Sequence, residues 1–321
     1  AFAALAVAFT AAYAAEDRVV LYSSNNVDTL KAITDGFNAQ YPDIQVSTVR
    51  AGTGSTMKRI KAEAKNPMGD IFWSGGLSTI NQFTAYQEAY KNKETEAVAA
   101  DLRDPNGFWL ATNMHIAVLM VNTKAMPAGA KVPKTWADLA DPVWKGNIVS
   151  PDPARSGTAY STFYGLKEVV GEETFKKIIA NLTISGSSAG AYEGPARGEF
   201  AVGITMEYAA SEYIEGGAKD IVAVYPADGT MTMPEGMFLI KGAKNPGPAK
   251  KLYDYLSSLQ AQTDLFKKTF RRPARSDFDA SKVSKLPDMK DIKIHPVDPQ
   301  VSGNNREAFL KEFRALVQAS R

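Results

Sequence analysis

A short apolar run, a turn of small polar residues and a stretch of helical periodicity follow one another three times within about 70 residues of this chain. Arg18-Val-Val-Leu-Tyr-Ser23 reads as a strand that ends in Ser23-Ser24-Asn25-Asn26. Such residues stop a strand and cap the helix that follows. Leu30, Ile33, Phe37 and Tyr41 recur at helical spacing, which predicts a helix over 27–41 broken by Pro42-Asp43. Ile44 to Val49 alternates as a half-buried strand does, Gly52-Thr-Gly-Ser-Thr56 turns the chain, and a helix follows over about 55–65. Asp70-Ile-Phe-Trp73 and Ser74-Gly75-Gly76 then repeat the strand and turn. Parallel strands need a crossover, so this rhythm implies a mostly parallel sheet flanked by helices.

Two later stretches set the domain organisation. Trp109 to Thr123 is β-rich and longer than most strands, long enough to cross from one lobe to another. Ile221-Val-Ala-Val-Tyr225 is a second apolar run that could cross back. Between them the rhythm resumes, with strands at Asn147–Ser150 and Phe200–Ile204 and helices to about Val170, near 172–181, at 189–197 and over Glu207–Glu215. A strand at Phe238–Ile240 and helices over Pro246–Leu259, Ala261–Phe270 and Glu307–Val317 complete the chain. The expectation is an α/β protein of two lobes, one from 16–110 plus 236–321 and the other from 111–235, with hinges near 110–125 and 220–236. A length of 321 residues suits two domains.

Composition removes much chemistry. There is no cysteine, hence no disulfide, zinc–thiolate site or cysteine nucleophile. Two histidines, His115 and His295, make a His-rich metal site untenable and a His-based triad improbable. Lys and Arg total 37 against 35 Asp and Glu, too balanced for broad capture of nucleic acid. No P-loop pattern and no complete dinucleotide fingerprint occur, so no nucleotide cofactor is expected. Residues 1–15 are uncharged and Ala-rich, with Ala12-Tyr13-Ala14 as a small-x-small cleavage pattern before Glu16. They read as the remnant of a secretory signal, and so as a sign of export.

In open α/β sheets ligands bind where strands end and helices begin. Free N–H groups and short hydroxyls at helix starts suit an anion. Taken singly, each such turn is as well explained as an ordinary helix cap. Glu207 and Glu235 stand beside the two crossings, where carboxylates could hold hydroxyl or ammonium groups, act as an acid–base pair on a glycosidic bond, or simply be solvated. Tyr160, Tyr192, Tyr208 and Tyr213 could line a cleft or pack. Arg155 is a candidate anion ligand, and Lys267-Lys-Thr-Phe-Arg-Arg272 reads as a solvated helix end.

Several stretches carry a resemblance. They are Val20-Leu-Tyr-Ser-Ser24, Ala51-Gly-Thr-Gly-Ser-Thr56 with Asn66-Pro67, Asp70-Ile-Phe-Trp-Ser-Gly-Gly76, Ser156-Gly-Thr-Ala-Tyr160 and Glu235-Gly-Met-Phe-Leu-Ile-Lys-Gly-Ala-Lys-Asn-Pro246. In these the chain resembles the periplasmic solute-binding proteins of ABC importers, in the ferric-iron-like subgroup, over nearly its whole length. The resemblance implies the two-lobed type II periplasmic binding fold, hinge closure, no enzymatic activity, no cofactor and a monomer that serves an inner-membrane permease. Iron-binding members present adjacent tyrosines where this chain reads Met206-Glu207-Tyr208-Ala209, with Tyr213 five positions beyond Tyr208. The Gly-Thr-Gly-Ser-Thr turn looks closer to members that take phosphorylated sugars or phosphonates. Carried over by position, Ser24, Asn25, Ser55, Thr56, Gly75, Ser156, Gly157 and Thr158 would cradle a small anion, with Glu207, Tyr208 and Glu235 facing the rest of the ligand. The alternatives are a ferric site on Glu207, Tyr208 and Tyr213, and a secreted hydrolase using Glu207 and Glu235.

Overall fold

The computed structural model describes residues 17–320. The expected signal remnant lies outside them. The first three strands, β1 (Asp17–Ser23), β2 (Ile44–Arg50) and β3 (Ile71–Gly76), are parallel, with β1 between the other two. Helix α1 (Val27–Gln40) connects β1 to β2, and α2 (Thr53–Ala62) connects β2 to β3. The Oδ1 of Asn26 accepts from the Thr29 N–H at 2.8 Å and starts α1, whose Leu30, Ile33 and Phe37 are buried. The four-residue α3 (Leu77–Ile80) follows β3, and β4 (Gln87–Glu88) is a short edge piece.

Strand β5 (Leu110–Asn122) then runs through the middle of the molecule. Beyond it come β6 (Ile148–Pro151), α4 (Gly157–Asn181), β7 (Leu182–Ser185), α5 (Gly190–Ala196), β8 (Val202–Met206), α6 (Glu207–Glu215) and β9 (Ile221–Val224). The chain returns along β10 (Thr232–Ile240), then forms α7 (Pro246–Ser257), α8 (Leu259–Thr269), β11 (Arg272–Pro273) and α9 (Pro299–Ala319). The strand order β2-β1-β3-β10-β5-β8-β6-β7 bends through two sheets that share β5. Its first half pairs antiparallel with β10 and β11, its second half antiparallel with β8 and β9.

Two hydrophobic cores flank the crossing. One gathers Leu21, Phe37, Phe72, Trp73, Leu110, Phe238 and Leu252. The other gathers Leu119, Val121, Trp136, Phe163, Phe175, Ile204 and Met231. Alternate β5 residues serve opposite faces of the second sheet: Ala117, Leu119 and Val121 face that core, while Val118 and Met120 pack with Ala210 and Ile221. Helix α4 carries Gly171 at φ +74°, so it is two helical segments meeting at a break, where the sequence reading expected two helices.

Helix α9 is not placed as expected, nor is the segment before it, where Val297 packs on the second core and the His295 N–H donates to the Thr230 carbonyl. Residues 236–321 were expected to join the first lobe as a block. Phe309 and Phe313 instead lie in the second core, with ring centroids 5.5 Å apart for Tyr160 and Phe309 and 4.9 Å for Phe163 and Phe313. The apolar stripe of an amphipathic helix packs on whichever core can cover it, and chain order does not decide which. No helix among the described residues is long and apolar enough to cross a membrane. Phe309→Ala is expected to cost about 3–5 kcal/mol in urea unfolding, because a buried ring leaves a cavity. A loss below about 1 kcal/mol would show that α9 is not integral to the second core.

Candidate functional site

The strand ends of both halves converge where β5 passes from one sheet to the other. On the first side the centre is Ser74, near the end of β3. Its φ of +71° is left-handed, an arrangement that costs a non-glycine residue about 1–3 kcal/mol and is commonest at functional sites. Its Oγ lies 3.1 Å from Asn25 Oδ1 and 2.7 Å from Glu235 Oε2. Ser24 Oγ donates to the Ser74 carbonyl, and Thr53 Oγ1 lies 3.3 Å from Ser24 Oγ.

Glu235 sits where β10 slips register against both neighbours, against β5 between Glu235 and Gly236 and against β3 between Gly236 and Met237. Such bulges re-aim a side chain. Its carboxylate meets His115 Nε2 at 3.0 Å, Asn113 Nδ2 at 3.1 Å and Arg271 Nη1 at 3.8 Å. Burial pushes the Glu235 carboxyl up, but His115, Arg271 and the Ser74 hydroxyl outweigh it and hold the group well below the usual carboxylate range.

On the second side, Ser156 Oγ caps α4 by accepting from the Ala159 N–H at 3.2 Å and lies 3.0 Å from Thr158 Oγ1. A shallow concavity is lined there by Thr158, Ser188, Thr205 and the rings of Tyr192 and Tyr208 among apolar neighbours such as Ile204 and Met206, with no charged side chain in its wall. Tyr208 links the two sides. The Arg271 guanidinium lies 4.6 Å from its ring centroid, and the His115 ring 5.2 Å away. Burial raises the Tyr208 phenol above its ordinary range, with Arg271 opposing. Glu212, one turn further on, is raised by desolvation, opposed by Arg271 and aided by Asp28 of α1. Asn25 Nδ2, His115 Nδ1 and Arg271 Nε are buried without a hydrogen-bond partner among the described residues. Buried polar atoms are rarely left so.

The structure therefore brings together Ser24, Asn25 and Glu235 on one side and Ser156, Thr158 and Tyr208 on the other. Gly157, exposed, opens α4 between Ser156 and Thr158. Other expected residues are elsewhere engaged. Ser55 is exposed on α2, and the Thr56 hydroxyl turns back onto the Gly52 carbonyl at 3.2 Å. Gly75 is buried, and a Cβ there would come within 2.5 Å of the Phe72 ring, so its bareness serves the packing of β3. Glu207, expected to face a ligand, is 2% exposed and locked to Arg272, with Nε–Oε2 at 2.6 Å and Nη2–Oε1 at 2.8 Å. Tyr225 Oη also donates to it, at 2.5 Å. A ferric set of Glu207, Tyr208 and Tyr213 is therefore not assembled, and no cluster of His, Asp or Glu suited to a metal occurs among the described residues. The Arg155 side chain is exposed beside Asp152, and Tyr160 is packed, with its hydroxyl on the Ser302 carbonyl. The cluster 267–272 is not a solvated helix end throughout, because Arg271 and Arg272 are buried.

Sequence reasoning missed Asn113, His115, Arg271 and the side chain of Ser74. Asn113 and His115 had a signal, since polar residues two apart on a crossing strand share a face. Arg271 had none.

A curled α/β structure with polar strand ends meeting at a crossing is the architecture of a type II periplasmic binding protein, made to hold a solute between two lobes. The chain belongs to the bacterial extracellular solute-binding proteins, whose family model matches residues 69–298. It is 30% identical to an uncharacterised protein of Haemophilus influenzae over 77% of this chain and 75% of that one. It is 26% identical to a putative 2-aminoethylphosphonate-binding periplasmic protein of Salmonella paratyphi A over 82% of this chain and 80% of that one. The fold superposes on the periplasmic binding protein AfuA of Actinobacillus pleuropneumoniae, solved with exogenous fructose-6-phosphate bound, with a TM-score of 0.80, 28% identity and coverage of 94% and 98%.

Because the Glu235 carboxyl is held low in the folded state, its contribution to stability is complete above the ordinary carboxylate value of 4.5 and is lost as pH falls below it. The stability advantage of the wild type over Glu235→Gln, measured by urea unfolding, should be largest at neutral pH and shrink steadily in acid. A pH-independent difference would mean that the carboxylate is not held by its cationic neighbours.

Proposed function

We propose that this protein captures a small phosphorylated or phosphonate anion between its lobes, without turning it over, and delivers it to a membrane permease as an exported, periplasmic monomer. One observation carries the reading: an uncharged concavity at the start of α4, with hydroxyls set among apolar side chains, opens beside a crossing whose buried donors lack partners. The first N–H groups of α4, at Gly157 and Thr158, have no carbonyl in a preceding turn, and Thr158 also lines the concavity together with Ser188 and Thr205. Such a wall attracts an oxyanion through donors and the helix dipole while keeping carboxylates away.

The other end of the ligand would lie toward Asn25, His115, Glu235 and Arg271. Glu207 is committed to Arg272, which removes one of the two carboxylates expected to hold an ammonium group. Unpartnered donors favour hydroxyl or carbonyl oxygens there. This supports a phosphorylated polyol ahead of an aminoalkylphosphonate, in keeping with the ligand in the AfuA structure. A hydrolase has little support, since Glu207 is tied to Arg272 and Glu235 is held low by its neighbours.

Isothermal titration should compare fructose 6-phosphate, 2-aminoethylphosphonate and inorganic phosphate on protein refolded free of ligand. Fructose 6-phosphate is expected to bind tightest, and Thr158→Val to weaken it roughly 10- to 100-fold, the worth of one hydrogen bond to a charged group. Binding of none of the three, or an unchanged affinity in Thr158→Val, would overturn the reading.

A further inference from the structure

We infer that the buried Glu207–Arg272 pair is a positioning element that holds three cleft-facing groups, Tyr208, Arg271 and His115, in one arrangement. The pair itself cannot reach a ligand, because both side chains are 2% exposed. Its two-point contact fixes the guanidinium plane, since the Arg fork matches a carboxylate at two oxygens. Tyr225, just past β9, donates to the same carboxylate, and Arg272 Nη2 also donates to the Pro287 carbonyl at 2.7 Å. Four separate chain segments are thus pinned at one buried point.

The cleft-facing groups are covalent or paired neighbours of that point. Tyr208 follows Glu207 at the start of α6. Arg271 precedes Arg272, and successive residues of an extended chain point to opposite faces. Arg272 is registered opposite Met114 of β5, and His115 is the next residue. So the inward face of these segments carries Glu207, Arg272 and Tyr225. The cleft face carries Tyr208, Arg271 and His115, with Arg271 Nη1 3.4 Å from His115 Nε2 and its guanidinium over the Tyr208 ring. If the pair loosens, Arg271 loses its anchor one peptide bond away, and the cleft donors shift together.

This inference rests on the proposed anion-binding reading for its affinity readout only. The test uses the full chain in two variants. Glu207→Gln removes the charge and keeps the shape. Tyr225→Phe removes a single hydroxyl and leaves the ion pair, so it retains the fold even if the first variant does not. Ring nitrogen NMR suits the problem, because the sequence has only His115 and His295, and His295→Gln assigns the two signals. In both variants the His115 ring signals are expected to move while those of His295, which lies against Glu168 on the surface, stay put. Calorimetry with fructose 6-phosphate is expected to weaken about tenfold in Glu207→Gln and a few-fold in Tyr225→Phe, as for a small misplacement of binding groups.

If wild-type protein ignores fructose 6-phosphate, the ligand reading fails while the NMR still decides this one. A purely structural pair would lower the unfolding midpoint yet leave the His115 signals in place. Unmoved His115 signals in Tyr225→Phe, together with unmoved signals in any Glu207→Gln protein that folds, overturn the inference.

Discussion

Everything in this molecule hangs on β5 being one unbroken strand with two sets of neighbours. Thirteen residues run from a pairing with β10 and β11 to a pairing with β8 and β9. The change of partner falls near residues 113–117. Backbone groups there must satisfy two sheets in succession, and the irregular register opposite Glu235 is the local result. Polar side chains gather at this crossing because strand ends from both halves arrive there with their helices. The position of the candidate site is thus a consequence of topology, while its chemistry comes from the particular residues that topology delivers.

Those residues are held at a cost in stability. Ser74 adopts a left-handed backbone, and three buried polar atoms go without partners. Each arrangement is unfavourable taken alone. The compensation lies close by. Glu235 is surrounded by His115, Arg271, Asn113 and Ser74, and the two hydrophobic cores on either side are closed and apolar.

Much of the fold was legible in the sequence, and less of the site. The helix over 27–41 could be read because Leu30, Ile33 and Phe37 keep one face and Asn26 caps it. The strand over 109–123 stood out by its length alone. Strand β7 was missed because it begins at Leu182, directly after α4, with no glycine or proline between them. Ser24, Asn25, Ser156 and Thr158 were within reach of sequence reasoning because strand-end turns are local features, whereas Glu235 lies inside β10 at its bulge. Glu207 could not be judged, since its partner lies 65 positions further on. The basic cluster misled for a physical reason. Lys267 and Lys268 end α8 in solvent, but Phe270 turns the backbone to φ +53° and carries Arg271 and Arg272 inward. One residue of left-handed backbone separates a solvated charge from a buried one, and charge pattern alone does not reveal it.

The order in which the elements are joined also dictates when the molecule can take shape during synthesis. Strand β3 waits for β10, so Gly76 meets its partner only once Glu235 has been made. The second core, although most of it is contiguous, waits for Phe309 and Phe313 near the far end of the chain. Neither half can close while the chain is still short. Long-range pairing of this kind slows folding and leaves apolar strands uncovered for longer. A nascent chain of this protein therefore lacks the partners that complete either core until most of it has been synthesised.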